Sequence, residues 1–261
     1  MSTTMVTNTI TNPITGTVTD TATVFSRELR PVLRNPFSVI FTIVQPLFFL
    51  ALFAPLLPDT VGGEPALQWF VPGIIVMSCL FGTSTTGANL LLEMQSGSHE
   101  RMLVSPLSRP ALIVGRALKE TAPMFAQTAF IVAVTIPFGF HLHLAGAVVG
   151  LLLLAVFCVG LGAMSYALAL ASKSQDWMFW AIQQTLLFPL LLLAGMLLPI
   201  DGGPGWLRFL ARLNPLSYIV DAERAMFSGS VVSSTVGAGV LAAAAVAALG
   251  LFVGTRMIRR A

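Results

Sequence analysis

The sequence predicts an all-α integral membrane protein with six transmembrane helices. Of its 261 residues, 56% are hydrophobic and 10% are charged, whereas soluble domains contain roughly 45 to 50% apolar residues. Its mean hydropathy is +0.85. A bilayer core of about 30 Å requires roughly 20 helical residues to cross it, and the chain contains several apolar stretches of that length. Most of the chain is therefore expected to cross a membrane.

Residues 1–21 are expected to form a disordered tail, and residues 22–261 a single membrane domain. The tail is rich in threonine, lacks lysine and arginine, and has no apolar segment typical of a signal peptide. The segment 24–34 that follows places Phe25, Leu29 and Val32 on one helical face and its arginines largely on the other. This pattern predicts an amphipathic interfacial helix on the inner leaflet. Alternatively, the arginines only anchor the first span.

Six stretches are long enough and apolar enough to span the bilayer. The first carries Gln45 and Pro46 near its middle. The third and fourth are joined by a linker so short that they must be antiparallel neighbours. The predicted spans are residues 36–57, 67–92, 119–140, 144–171, 178–199 and 234–255.

The basic residues predict the orientation of the chain. With both termini in the cytoplasm, eleven of the fourteen lysines and arginines lie on the inner side, as the positive-inside rule favours. The other three, Arg208, Arg212 and Arg224, lie between the fifth and sixth spans with three acidic residues. Trp206 and Tyr218 occur in the same segment, where apolar residues alternate with arginines. This segment is expected to form re-entrant or interfacial helices on the outer side, before the last span.

The sequence predicts no catalytic, metal or nucleotide site. A phosphate-binding loop of the form G-x-x-x-x-G-K-[ST] requires a Gly-Lys pair, but Lys119 follows a leucine and Lys173 a serine. The spans carry essentially no charge away from their ends, which argues against an ion-coupled carrier and a membrane hydrolase. His141 and His143 lack the partners that a metal would need. We expect no cofactor to bind to this chain.

Uncharged polar residues interrupt the apolar spans. They have two explanations, which stay open: hydrogen bonds between helices, or a partly polar path for an amphipathic substrate. Thr85 and Asn89 are four residues apart and share a helical face. The candidate substrate path consists of Gln45, Phe81, Thr85, Asn89, Gln183, Gln184 and Phe188.

The stretch ERMLVSPLSRPALIVGRALKE begins at Glu100 and holds six charged side chains between the second and third spans. Ser98 fits the N-cap position of a short helix, which Pro106 would end. A second helix, with Pro110 in its first turn, would then lead into the third span. A compact cytoplasmic helix that carries Glu100 and Arg101 is suited to docking on a soluble partner.

Two stretches of the chain resemble the permeases of type-2 ABC exporters, the group that includes daunorubicin-resistance permeases. One is EMQSGSHERMLVSPLSRPALIVGRALKE, from Glu93, and the other is GMLLPIDGGPGWLRFLARLNPLSYIVDAERAMF, from Gly195. The resemblance covers nearly the whole chain after residue 20 and implies that residues 22–261 form one ABC-2 type permease domain. The second stretch is similar to the family's C-terminal pattern through Asn214, Pro215, Leu216, Ser217, Tyr218 and Arg224.

The resemblance implies a half-permease that pairs with a second copy or with a sister permease. A separately encoded ABC ATPase would bind ATP and magnesium and drive it. The loop between the second and third spans would carry the coupling helix, and segment 24–34 would be the amphipathic helix before the first span. The implied ATPase-coupling residues are Glu93, Gly97, Glu100, Arg101, Met102, Leu103, Ser105, Pro106 and Arg109.

The expected function is therefore that of an efflux permease in the plasma membrane of a bacterium. It would move an amphipathic or hydrophobic compound, such as an antibiotic or a lipid-like molecule, out of the cell. Its expected partners are the ATPase, a second permease and the lipid bilayer, but not nucleic acid. Two alternatives stay open: a membrane scaffold or assembly protein without transport activity, and a lipid-processing membrane enzyme. The enzyme is disfavoured because no buried acid and base are expected.

Overall fold

The computed structural model is mostly helical. It describes residues 25–26, 36–97, 115, 121–172, 175–200 and 202–260. In chain order, the elements with defined bounds are α1 Pro36–Phe53, β1 Thr60–Val61, β2 Glu64–Pro65, α2 Ala66–Gln95, α3 Thr121–Thr135, α4 Leu144–Ala171, α5 Asp176–Leu193, α6 Gly205–Leu213, α7 Pro215–Phe227 and α8 Ser234–Arg260. The predicted amphipathic segment 24–34 lies outside the described residues except for Phe25 and Ser26.

Five helices of the described residues are long and apolar enough to cross a membrane: α2, α3 with the turn that extends it to Phe138, α4, α5 and α8. The prediction of a helical membrane protein is confirmed. Helix α1 coincides with the first predicted span, but its side chains are described only from Ile43 onward. The stretch Ile43–Leu56 is apolar and shorter than a span, so the six-span topology stays a prediction.

Some helices end at other residues than the predicted spans, because a glycine or a polar residue ends the helix. Helix α4 has the predicted bounds 144–171, whereas α5 ends at Leu193 and not at 199. Gly195 has a φ of +66°, a left-handed conformation that favours glycine and commonly ends a helix. Apolar residues precede and follow Gly195, so the hydropathy of the sequence does not show that the helix ends there.

Helix α2 runs through the middle of the fold, where its residues from Gln68 to Leu80 are all buried. Helix α4 packs against α2 and α8, and α1 and α3 pack against each other and against α2. In this core Cys79 of α2 meets Cys158 of α4, with the two Sγ atoms 2.8 Å apart and no disulfide between them. The helices α2 and α4 therefore form the centre of the described fold.

Helix α7 is buried although it is too short to span a membrane. It has 13 residues, a length of about 20 Å, and it packs against α2, α4 and α8. On α4, a side chain at Gly146 would overlap the carbonyl of Met226, and one at Gly150 would overlap the carboxylate of Glu223. Small residues at this spacing allow two helices to approach closely, which explains how α7 enters the core.

A two-residue hairpin joins α1 to α2. Its strands β1 and β2 are antiparallel, with Val61 opposite Glu64. Gly62 and Gly63 make the turn with φ values of 62° and 88°, as a tight hairpin requires. The hairpin places Glu64 close to α7, beside the α5–α6 connection.

Candidate functional site

Asn214 fastens the start of α7 to the end of α5. Its Oδ1 accepts a hydrogen bond from the Leu216 N–H at 3.1 Å and so caps α7, while its Nδ2 donates to the Leu190 carbonyl at 2.7 Å. Ser217 Oγ donates to the Leu193 carbonyl at 3.1 Å. The last carbonyls of a helix lack partners within it, so these side chains complete the end of α5. Pro215 occupies the first turn of α7, where a missing N–H costs nothing.

Arg224 connects α7 to two other elements. Its Nε donates to the Trp69 carbonyl in α2 at 3.0 Å, and its Nη2 donates to the Gly195 carbonyl just after α5 at 2.7 Å. Nη1 lies 3.4 Å from Asp221 Oδ1. A planar guanidinium can make these contacts at the same time, whereas a lysine ammonium cannot.

Tyr218 ties α7 to α6, because its hydroxyl donates to the Arg212 carbonyl at 2.8 Å. The residues predicted as an outer-helix motif, Asn214, Pro215, Tyr218 and Arg224, therefore lie together at one joint. This joint holds α6, α7, the end of α5 and the start of α2. We name these four residues the α5–α7 joint.

The predicted substrate-path residues do not share one surface. Phe81, Thr85 and Asn89 follow one face of α2, whereas Gln184 and Phe188 lie on one face of α5. Gln183 lies on the buried side of α5, together with Leu187. Gln45, Thr85, Gln184 and Phe188 are exposed, Phe81 and Asn89 are half-buried, and Gln183 is buried.

Gln183 lines a groove of about 360 Å³ between α2, α4, α5 and α8. The groove is mostly apolar, with Met164, Leu186 and Met257 in its wall, and Ser84 and Ser165 provide hydroxyl groups. Gln183 Oε1 has no hydrogen-bond partner among the described residues. An apolar groove with few polar groups is typical of sites for hydrophobic small molecules.

Two of the nine predicted ATPase-coupling residues can be placed. Glu93 is half-buried in the last turn of α2, and Gly97 follows the helix with a φ of +66°. Close by, Gln95 Nε2 donates a hydrogen bond to Asp176 of α5, so the end of α2 and the start of α5 meet. The other predicted coupling residues lie outside the described residues: Glu100, Arg101, Met102, Leu103, Ser105, Pro106 and Arg109.

Glu223 is a buried acid, whereas in the sequence it is only one of the three acidic residues between the fifth and sixth predicted spans. It is fully buried, and neither carboxylate oxygen has a hydrogen-bond partner among the described residues. Burial raises the pKa of Glu223 to about 8, because a desolvated carboxylate is disfavoured. The expectation that the chain has no buried acid group is therefore wrong at this position. Helical spacing could have revealed it, since Glu223 lies four residues after Ile219 and three before Met226, and both are buried.

The carboxylate of Glu223 lies at a contact between α4 and α7. Its carboxylate packs against Gly150, and it lines neither the groove at Gln183 nor the cavity at Arg212. His143 was considered above as a metal ligand. Its Nδ1 atom lies 3.0 Å from the carbonyl oxygen of Phe227. Both side chains are thus placed at contacts between α4 and α7.

Comparison with known proteins gives the family of the chain. A protein of Cyanophora paradoxa named transport permease ycf38 is 30% identical over 204 residues, which cover 76% of this chain and 70% of that one. The daunorubicin resistance ABC transporter permease protein DrrB1 of Streptomyces coeruleorubidus is 25% identical over 199 residues, 75% of this chain and 70% of that one.

The multidrug ABC transporter permease YbhR of Escherichia coli is 25% identical over 164 residues, 61% of this chain and 44% of that one. Residues 19–228 match the ABC-2 type transporter family. The matched segment includes the whole of α1 to α7 and therefore the α5–α7 joint. The chain belongs to the ABC-2 type transporter family, whose members are membrane transport subunits.

Proposed function

We propose that this chain is the permease subunit of an ATP-driven exporter that moves an amphipathic or hydrophobic compound out of the cell. The observation that carries the proposal is the match of residues 19–228 to the ABC-2 type transporter family. One relative is named for daunorubicin resistance and another as a multidrug permease. Daunorubicin is therefore the first compound to test as a substrate.

The proposed substrate path comprises the groove at Gln183 and the uncovered faces of α2 and α5. Thr85 and Gln184 are exposed on helices that are otherwise apolar. A glutamine that faces lipid tails is unfavourable, so these faces are better suited to a second permease copy or to a cavity between two copies. The amide of Gln183, which lacks a partner for its Oε1 among the described residues, could bind a polar group of the cargo.

The energy would come from a separate ABC ATPase, which binds ATP and magnesium. No phosphate-binding loop of the Gly-Lys type is present in the 261 residues. We place both termini and the loop after α2 in the cytoplasm, in a bacterial plasma membrane. Glu100 and Arg101 would fix the register of the loop on the ATPase through their charges, and Met102 and Leu103 would seat in an apolar cleft.

Copurification tests the ATPase contact. The tagged chain is expressed with an ABC ATPase, and the ATPase retained on the tag is measured. We expect Glu100→Arg combined with Arg101→Glu to reduce retention, because both charges of the contact are reversed. Asp59→Arg reverses an exposed charge just before the β1–β2 hairpin, on the proposed outer side, and should leave retention unchanged.

Two results would contradict the proposal. One is that the double reversal at Glu100 and Arg101 leaves ATPase retention at the wild-type level. The other is that no ABC ATPase copurifies with the chain from its native membrane, which would favour a membrane scaffold without transport activity.

A further inference from the structure

A cavity of about 430 Å³ lies between α6, α7, the end of α5 and the β1–β2 hairpin. Arg208 and Arg212 of α6 and Arg224 of α7 line it, together with the side chains of Tyr218 and Ser217. The cavity shares no lining residue with the groove at Gln183. It is therefore a separate site, which the proposed transport path does not use.

Two of the three arginines are available to a ligand. The guanidinium of Arg224 is engaged by the carbonyls of Trp69 and Gly195 and by Asp221. By contrast, the side chains of Arg208 and Arg212 are exposed and have no ion pair or hydrogen bond within the part of the chain that the structure describes.

The described lining of the cavity carries a net positive charge. Its acidic members among the described residues are Asp221 and Glu64. Because Asp221 is paired with Arg224, Glu64 is the one described acidic residue of the lining that offsets the two arginines of α6. The charge of the cavity therefore favours an anion.

Helix α6 also presents an apolar face beside these arginines. Trp206, Phe209 and Leu213 are 65%, 62% and 66% exposed, and their spacing places them on one side of the helix. The buried Ala211 marks the side that packs on the protein. Arg208 and Arg212, four residues apart, occupy the sector between these two sides, next to Phe209. A basic amphipathic helix with tryptophan on its apolar face is typical of a helix that lies in a membrane interface.

We propose that this cavity binds the phosphodiester headgroup of an anionic membrane phospholipid. The phosphate would accept hydrogen bonds from Arg208 and Arg212, since a guanidinium fork matches phosphate oxygens. The acyl chains would lie along the apolar face of α6 next to Phe209. A soluble phosphate would use the arginines but not this apolar face, and so a lipid is the ligand that fits both features. The proposal requires only that α6 lies at a membrane surface, and it holds whichever compound the chain transports.

A bound lipid would have a structural consequence at the α5–α7 joint. The carbonyl of Arg212 accepts a hydrogen bond from the Tyr218 hydroxyl at 2.8 Å, so a lipid that holds Arg212 also restrains α7. The lipid is thus inferred to be a resident ligand that fixes α6 against α7.

Native mass spectrometry of the purified chain in detergent tests this site. The chain is titrated with phosphatidylglycerol or with phosphatidylcholine of the same acyl chains, which differ in net charge. We expect one tightly bound phosphatidylglycerol. Phosphatidylcholine should bind at least about tenfold more weakly, because each basic residue near a lipid surface contributes about 1 kcal/mol to the binding of an anionic lipid. Arg208→Gln combined with Arg212→Gln should remove this preference. If that variant does not fold, Arg208→Gln alone should reduce the preference in part.

The control removes the same charge elsewhere. Arg256→Gln combined with Arg259→Gln changes two arginines on α8, which line a different cavity, and should leave the preference for phosphatidylglycerol intact. An equal loss in both double variants would contradict the site, as would equal binding of the two lipids to the wild type. Displacement of phosphatidylglycerol by millimolar inorganic phosphate would show instead that the cavity binds a soluble anion. None of these measurements involves ATP or transport, so failure here would leave the proposed function standing.

Discussion

The guanidinium carbon of Arg224 lies 3.8 Å from the centroid of the Trp69 ring. This stacking adds to the hydrogen bond that Arg224 Nε donates to the Trp69 carbonyl. A buried helix too short to span a membrane is thereby attached to the central helix α2, and the same arginine closes the end of α5 at Gly195. Arg224 therefore stabilises the arrangement of three helices.

We expect Arg224→Lys to destabilise the protein although the charge is kept. An ammonium cannot reproduce the planar set of contacts to Trp69, Gly195 and Asp221, and the loss of a hydrogen bond from a charged group costs about 1.5 to 3 kcal/mol. The thermal unfolding midpoint in detergent should fall by several degrees. Arg256→Lys is the matched control, because the exposed Arg256 side chain has no hydrogen bond or ion pair in the described part of the chain. Equal midpoints for the wild type and Arg224→Lys would contradict this role.

Glu223 should make the stability of the protein depend on pH. Its ordinary pKa is 4.5 and burial raises it to about 8, so between these values the folded protein retains a proton that the unfolded chain loses. The contribution of Glu223 is therefore fully present below pH 4.5, and stability falls as the pH rises from 4.5 to about 8. Unfolding midpoints measured across this range should decline more for the wild type than for Glu223→Gln, which cannot ionise. Parallel curves for the two proteins would rule out this titration.

The sequence predicts the type and the position of long helices well where apolar residues are bounded by polar ones. Helix α4 begins after His143 and ends before Ser172, and both polar boundaries are visible in the sequence. The end of α5 could not be placed in the same way, because the break depends on the backbone conformation of Gly195 and on side chains from α7. Asn214 and Ser217 satisfy the carbonyls of Leu190 and Leu193, which are long-range contacts that no local pattern contains.

The candidate site was predicted only in part for a related reason. The sequence shows which polar residues interrupt the apolar spans, but whether each side chain is buried or exposed depends on the neighbouring helices that cover it. Gln183 and Gln184 are adjacent in the sequence, yet one is buried in the groove and the other is exposed. Glu223 was missed as a buried residue because its burial depends on the close approach of Gly150.

Gln183→Leu should change the compounds that are exported without destabilising the protein. The Oε1 atom of Gln183 lacks a partner among the described residues, so replacing this amide with an apolar group removes a buried unsatisfied acceptor. Gln127→Leu is the control: Gln127 is equally buried, but it has an interaction partner to lose. We expect the unfolding midpoint to fall for Gln127→Leu only, and the substrate profile to change for Gln183→Leu. An unchanged profile for Gln183→Leu would indicate that the groove does not contact the cargo.

Cysteine labelling of intact cells tests the orientation. Asp59→Cys and Gly202→Cys should react with an impermeant maleimide from outside, whereas Ser98→Cys and Ser174→Cys should not, since the positive-inside rule places them in the cytoplasm. Gly202 is suitable because a side chain there meets no atom within 4 Å. The native Cys79 and Cys158 are buried and should give little background. Labelling of Ser98→Cys from outside would reverse the topology and remove the proposed ATPase contact with it.

The central claim is that ATP hydrolysis on a partner subunit drives transport through this chain. Its most direct test is the uptake of daunorubicin, and of a panel of other fluorescent amphipathic compounds, into inside-out membrane vesicles that contain the chain and its ABC ATPase. We predict that at least one compound accumulates when ATP and magnesium are added. This accumulation should disappear when the phosphate-loop lysine of the ATPase is replaced, and also when the permease chain is omitted. Accumulation that persists after either change, or its absence for every compound in vesicles that contain the assembled complex, would contradict the account.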